Sequence, residues 1–238
     1  MEDVLSIYKR PHDPRFPVVC LDEFSKQLLR EKREPIAAKP GKTAKEDSEY
    51  IREGSATAFL LYAPFDGIRK IIVSEDGRRT AQDYADVIEY LVEEMYPEAE
   101  KVLLVEDNLN IHRDASLYEN FEPEKARRLA SRIERHHTPK HGSWLNIAEI
   151  EISAVSRTTF PDRVESLEEF RALCELGEER RNQSRTATAW RFTNEHARIK
   201  LKRLYPSIED SRSTRLPQHD EPLGLPNLLA PFRRTSFA

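Results

Sequence analysis

The run Lys101-Val102-Leu103-Leu104-Val105 sets the first condition on the fold. An unbroken apolar stretch of strand length offers no polar face to water, so it reads as a strand buried on both sides. The surrounding pattern agrees. Pro17-Val18-Val19-Cys20-Leu21 is a short apolar strand candidate, as are Ala58-Phe59-Leu60-Leu61-Tyr62 and Lys70-Ile71-Ile72-Val73. A turn containing Pro64 and Gly67 joins the last two into an expected hairpin, and Ile133 to His137 is a fifth strand candidate.

Helical periodicity fills the gaps. Thr80 to Met95 carries Tyr84, Val87, Ile88, Leu91 and Val92 at three- and four-residue spacing. Pro123 to Arg132 opens on a proline suited to a first helical turn, and Trp144 to Arg157 and Ser166 to Arg181 follow. The order is three strands, helix, strand, helix, strand, then two helices. It predicts an α/β fold, a five-stranded mixed sheet flanked by helices. Lys32 to Ser55 reads as a polar loop or weak hairpin, and Asp210 to Ala238 as an irregular tail.

Composition removes several alternatives. Charged residues are 34% of the 238, mean hydropathy is -0.70, and no apolar run approaches the ~20 residues of a bilayer span. No membrane association is expected. The start, Met1-Glu2-Asp3-Val4, has no secretory pattern, and two cysteines, Cys20 and Cys174, cannot form a disulfide framework. A reducing cytoplasm is the expectation. Net charge is -4, so any polyanion binding must come from local patches. Arg180 to Arg203 holds eight bases against one acid, and Glu124 to Lys140 six against two, while acids concentrate between Glu75 and Asp107. Each basic run reads equally as a solvated helix face or as a surface for a polyanion.

Three acids stand at element ends. Asp22 follows the first strand, Asp107 follows the fourth, and Glu149 lies early in the helix after Trp144. Carboxylates just past buried strands sit where ligands gather in α/β sheets. If the first and fourth strands are neighbours, Asp22 and Asp107 repel one another unless a cation neutralises them. Mg²⁺ suits an oxygen-only site, and two such ions can bracket a phosphodiester. Helix phase leaves the third acid open: Leu145, Ala148, Ile152 and Val155 form the apolar stripe, and Glu149 and Glu151 flank it on opposite sides.

The literal residues narrow this further. His137-Thr138-Pro139-Lys140-His141-Gly142-Ser143-Trp144-Leu145-Asn146-Ile147-Ala148-Glu149 resembles the third-carboxylate motif of bacterial insertion-sequence transposases of the Tc/mariner superfamily, in the insertion sequence six-thirty family. Val105-Glu106-Asp107-Asn108-Leu109-Asn110-Ile111-His112 resembles the second motif, and Val18-Val19-Cys20-Leu21-Asp22-Glu23 the first. Trp190-Arg191-Phe192-Thr193 and the residues to Pro206 resemble the C-terminal signature. The resemblance implies a ribonuclease H-like catalytic domain over residues 1–208, with a tail over 209–238. It implies a D-D-E site of Asp22, Asp107 and Glu149, catalytic and metal-holding, with two Mg²⁺ (or Mn²⁺) ions. Glu151 is then a helix-surface or supporting residue.

The implied reaction is cleavage and strand transfer of double-stranded DNA at element ends, by a homodimer in a synaptic complex. Expected DNA contacts are Asn108, Lys140, His141, Arg180, Arg181, Arg185 and Lys202. Asn108 is alternatively a turn residue. His112 either meets a phosphate or caps the next helix, Ser143 offers a helix cap, and Trp144 reads as core. Full family members carry an N-terminal helix-turn-helix region, and the 21 residues before Asp22 are too few to hold one. An alternative reading is therefore a non-catalytic relic, or a domesticated module that only binds DNA or a sister transposase.

Overall fold

The computed structural model describes residues 1–33, 39–43, 49–140 and 142–205. The chain divides into two compact units, Met1–Ala197 and Arg198–Ala238. In the first unit the elements run α1 (Glu2–Ile7), β1 (Val18–Glu31), β2 (Tyr50–Ala63), β3 (Ile68–Val73), α2 (Ala81–Tyr90), β4 (Val102–Glu106), α3 (Asp114–Asn120), α4 (Pro123–Ser131), β5 (Ile133–His137), α5 (Ile147–Thr159) and α6 (Leu167–Ser184). Helix α7 (Asn194–Lys200) follows, and the described part of the second unit ends with a 3₁₀ turn at Lys202–Leu204.

The five strands form one sheet in the order β3-β2-β1-β4-β5. Strands β1, β2 and β3 are antiparallel neighbours, while β4 and β5 run parallel to β1 and to each other. This is the ribonuclease H-like arrangement. Strand β4 lies between β1 and β5 with all five residues buried, as its apolar run requires.

Alternation along the strands supplies two cores. Val19, Leu21, Phe59, Leu61, Val102 and Leu104 pack on one face against Tyr84, Val87, Ile88 and Leu91 of α2, with Leu117, Ala126 and Leu129 of α3 and α4. The other face lies under α5 and α6, which touch β1, β2 and β3. Helix α1 completes that side beside β5, with Val4, Leu5 and Ile7 fully buried.

Local chemistry explains the boundaries. Thr80 and Asp83 form a reciprocal capping box at the start of α2. Pro123 occupies the first turn of α4, and the Ser166 side chain caps α6. Gly67 turns the chain between β2 and β3 at φ 65°. A Cβ there would stand 2.6 Å from the Arg185 carbonyl oxygen, so the close approach excludes any side chain.

The structure corrects several expectations. The first strand, expected to stop at Leu21, continues to Glu31, and β2 begins at Tyr50, so of the two readings of Lys32 to Ser55, polar loop or weak hairpin, residues 50–55 follow the hairpin. Residues 50–55 are exposed, so no burial pattern marks them as strand; main-chain pairing with β1 holds them there. The Leu29 N–H also donates to the Val164 carbonyl, stitching the hairpin to the α5–α6 connection. Helices α1, α3 and α7, none longer than seven residues, carried too little periodicity to be expected. The last turn of the helix expected to reach Met95 is a π-helical turn, Leu91–Met95. The tail expected over 209–238 lies outside the described residues.

Candidate active site

Parallel pairing of β1 with β4 matches Cys20 to Val105. Asp22 and Asp107 each follow two residues later, so the strand period brings both carboxylates to the same face; Asp107 lies just past the end of β4, whereas Asp22, expected to follow the first strand, lies within β1, which runs on to Glu31. Glu149 comes from α5, and the start of that helix is tied to β1. The Asn146 side chain accepts from the Ala148 N–H at 3.1 Å, which makes Asn146 the N-cap, and donates to the Leu21 carbonyl at 2.7 Å. Ser143, expected as the cap, instead opens a 3₁₀ turn, Ser143–Leu145, just ahead of the helix. The Tyr8 hydroxyl donates to the Leu145 carbonyl at 2.9 Å and adds a second tie. The first turn of α5, and Glu149 with it, is thus held beside the residue preceding Asp22.

The charges of these groups register on one another. Burial pushes the Asp22 carboxyl up to about 7, with the charges of Glu23, Asp107 and Glu149 pushing the same way and the Glu23 N–H opposing them. Asp107 behaves differently. Burial raises its carboxyl, but the hydrogen bond and charge of His112 and the Leu109 N–H together hold it below the usual range. Its Oδ1 accepts from the Leu109 N–H at 3.1 Å and lies 2.8 Å from His112 Nδ1. The His112 imidazole is fully enclosed, with Nε2 2.7 Å from Glu23 Oε1. Burial would lower its pKa, yet Asp107 and Glu23 outweigh that and lift it to about 10. His112 therefore neither meets solvent nor caps a helix; Arg113 is the residue before α3.

Beneath this lies a buried polar cluster. Glu106 accepts from the Tyr84 hydroxyl at 3.0 Å and sits 3.3 Å from Arg135 Nε. Burial pushes its carboxyl up to about 7 against the charges of His112 and Arg135.

The two acids left open by helix phase part company in three dimensions. Glu149 is exposed. Glu151 is only 3% exposed and is gripped by two arginines: Arg69 Nε at 2.9 Å, and Arg181 Nε and Nη2 at 2.7 Å each. Glu151 is not a helix-surface residue, and its carboxylate is committed inside the protein.

Asn108 and Lys140 line a cleft of about 630 Å³ with Asp107, Thr138, Pro139 and Ser143. Arg180 and Arg185 are exposed, Arg185 at the end of α6 in the left-handed conformation. Arg181 is the exception among the α6 bases, since its guanidinium is occupied by Glu151. Lys202 is exposed in the second unit, and His141 lies outside the described residues. Trp144, expected in the core, is 39% exposed and meets Phe192 edge to face. Sequence reasoning missed the Glu23–His112 contact. The only available signal was a histidine five residues after Asp107, which does not say what it faces.

Asp22, Asp107 and Glu149 offer oxygen donors only, and burial with the charges of its neighbours holds the Asp22 carboxyl up. That donor set fits a hard divalent cation. Among the described residues, Glu23, Asp107 and His112 also bring one potential ligand atom each within 4.8 Å of one another.

The sheet order and the helices on both faces define the class of fold, ribonuclease H-like α/β domains. The sequence model for the DDE superfamily endonucleases matches residues 17–171, more than half of the chain, and the chain belongs to that family. Similar solved structures include the Mos1 transposase paired-end complex with left transposon end (15% identity, TM-score 0.46, 76% of this chain and 56% of that one). They also include the Mos1 mariner paired end complex with Mn (16%, 0.46, 76% and 57%) and the Mos1 strand transfer complex (15%, 0.46, 78% and 59%). The chain spans a little more than half the length of these structures. No curated protein matches it. No helix among the described residues is long and apolar enough to cross a membrane.

Proposed function

We propose that residues 1–208 are the catalytic domain of a transposase of the insertion sequence six-thirty branch, cutting and joining DNA phosphodiesters at element ends. Asp22, Asp107 and Glu149 are the catalytic carboxylates and would hold two Mg²⁺ or Mn²⁺ ions. The observation that carries the reading is the β1–β4 register, with Asp22 and Asp107 on one face of adjacent strands and the start of α5, which bears Glu149, tied to β1 through Asn146. Such a cluster is unfavourable by itself and favourable around a divalent cation. When bound, the ions activate the attacking oxygen and stabilise the leaving one.

The chain's own residues do the rest. Asp107 is held ionised just past β4, Asp22 within β1 would ionise as a cation takes the place of its proton, and Glu149 closes the donor set from α5. Asn108 and Lys140 receive the DNA backbone in the cleft beside Asp107. Arg180, Arg185 and Lys202 contact phosphates without reading sequence. The partners are double-stranded DNA, at element ends and target, and a second copy of the chain in a synaptic complex.

The test is nicking of labelled element-end DNA in Mg²⁺ or Mn²⁺ by wild type and by Asp107→Asn. Nicking by wild type, reduced at least about 100-fold in the variant, is the expected outcome. DNA binding without nicking by either protein would replace this reading with that of a binding module.

A further inference from the structure

Asp22 and Glu23 are consecutive on β1, so they face opposite sides of the sheet. Asp22 shares its face with Cys20. Glu23 shares its face with Leu21, which packs in the core that includes α2. A carboxylate buried on that inner side, with a 3% exposed side chain, requires a partner. The partner is His112, whose Nε2 lies 2.7 Å from Glu23 Oε1. The opposite ring nitrogen, Nδ1, lies 2.8 Å from Asp107 Oδ1 and 3.0 Å from the Asp107 carbonyl oxygen. Tyr84 packs against the ring at 4.8 Å between centroids. Held at both nitrogens and along one side, the imidazole has one orientation. Asp107 Oδ1 consequently has two donors, His112 and the Leu109 N–H, and Oδ2 is the oxygen left for a cation.

We propose that Glu23 and His112 are a positioning pair: Glu23 orients His112, and His112 fixes the Asp107 carboxylate with one oxygen presented to a divalent cation. The pair reaches from the inner face of the sheet to its outer end and sets the direction of a ligand it does not replace. The proposal rests on the reading of Asp107 as a metal ligand. Partners of this kind characteristically govern affinity for the ion.

The experiment is calorimetric titration of the full chain with Mn²⁺ alone, using wild type, Glu23→Gln, His112→Ala, His112→Gln, the Glu23→Gln/His112→Ala double variant and Asp22→Asn. Folding of each is verified by circular dichroism. Glu23→Gln is nearly isosteric and keeps an acceptor for the ring, which guards against loss of the fold in His112→Ala. Expected are roughly tenfold weaker Mn²⁺ binding in Glu23→Gln and His112→Ala, and partial recovery in His112→Gln, whose amide can still donate to Asp107. The double variant should be no worse than His112→Ala, because Glu23 acts only through the ring. Wild-type Mn²⁺ affinity in both single variants, with loss in Asp22→Asn, overturns the positioning pair and leaves the carboxylate site standing. Abolished binding in His112→Ala with Asp22→Asn unaffected puts the ion on Glu23, Asp107 and His112 and overturns both readings.

Discussion

A single carboxyl group gives the metal-free chain a pH signature. Asp22 titrates at about 7 in the folded chain, against an ordinary value of 3.8. The sign follows from the proton count. Between these values the folded chain holds a proton that the unfolded chain has released, so Asp22 favours folding at low pH and loses that contribution as pH rises through 7. A divalent cation replaces the proton as the neutralising partner. Thermal unfolding should therefore show a larger gain from Mg²⁺ at pH 8 than at pH 5.5, and Asp22→Asn should abolish most of that difference. At this scale the sequence was readable only in part. Motif resemblance singled out Asp22, Asp107 and Glu149, and strand register accounts for the approach of the two aspartates. His112 was visible as a residue but not as a contact, because its partner Glu23 lies 89 positions away on another strand.

At the scale of elements, Glu149 and Glu151 show how one helix serves two sides. Periodicity alone placed them symmetrically about the apolar stripe. Packing separates them, because α6 and β3 supply Arg181 and Arg69 on one side only. Arg69 is itself enclosed, donating to the carbonyls of Gly67, Arg181 and Thr186 and lying over the Tyr62 ring. Removing one partner from a buried ion pair leaves an uncompensated charge and costs about 3–5 kcal/mol. Glu151→Ala should accordingly lower the unfolding midpoint in urea strongly. Glu149→Gln, at an exposed position, should leave that midpoint nearly unchanged while abolishing nicking. A loss of stability for Glu149→Gln equal to that for Glu151→Ala would contradict the division of labour. Continuous runs such as β4 and stripes such as that of α2 were legible because burial writes them into residue type. The outer limbs of the β1–β2 hairpin were legible only as one of two readings, since exposed strands held by main-chain pairing leave no apolar alternation to read.

Across the molecule, a net charge of -4 conceals a separation between acids at the candidate centre and bases on helix surfaces. Only exposed bases can exchange counterions with DNA. Changing Arg180 and Arg185 together to Ala should weaken DNA binding and flatten its dependence on salt by about two units of slope. Arg181→Ala should instead act mainly on stability, because its guanidinium faces Glu151. An unchanged slope in the double variant would remove α6 from the DNA-facing surface. The sequence showed the density of these bases but not which of them the fold had already spoken for.

The stitching of the chain's opening residues has a practical corollary. Val4, Leu5 and Ile7 are fully enclosed, and Tyr8 reaches both Cys20 and the Leu145 carbonyl. A fragment trimmed to 17–171, the limits of the family match, would bare the sockets of those side chains and forfeit most of α6, Arg181 included. Expressed alone, it should come out as a sticky, poorly soluble species on size-exclusion chromatography, whereas Met1–Ala197 should elute as a well-behaved particle. The evolutionary outline of the domain is narrower than its mechanical one.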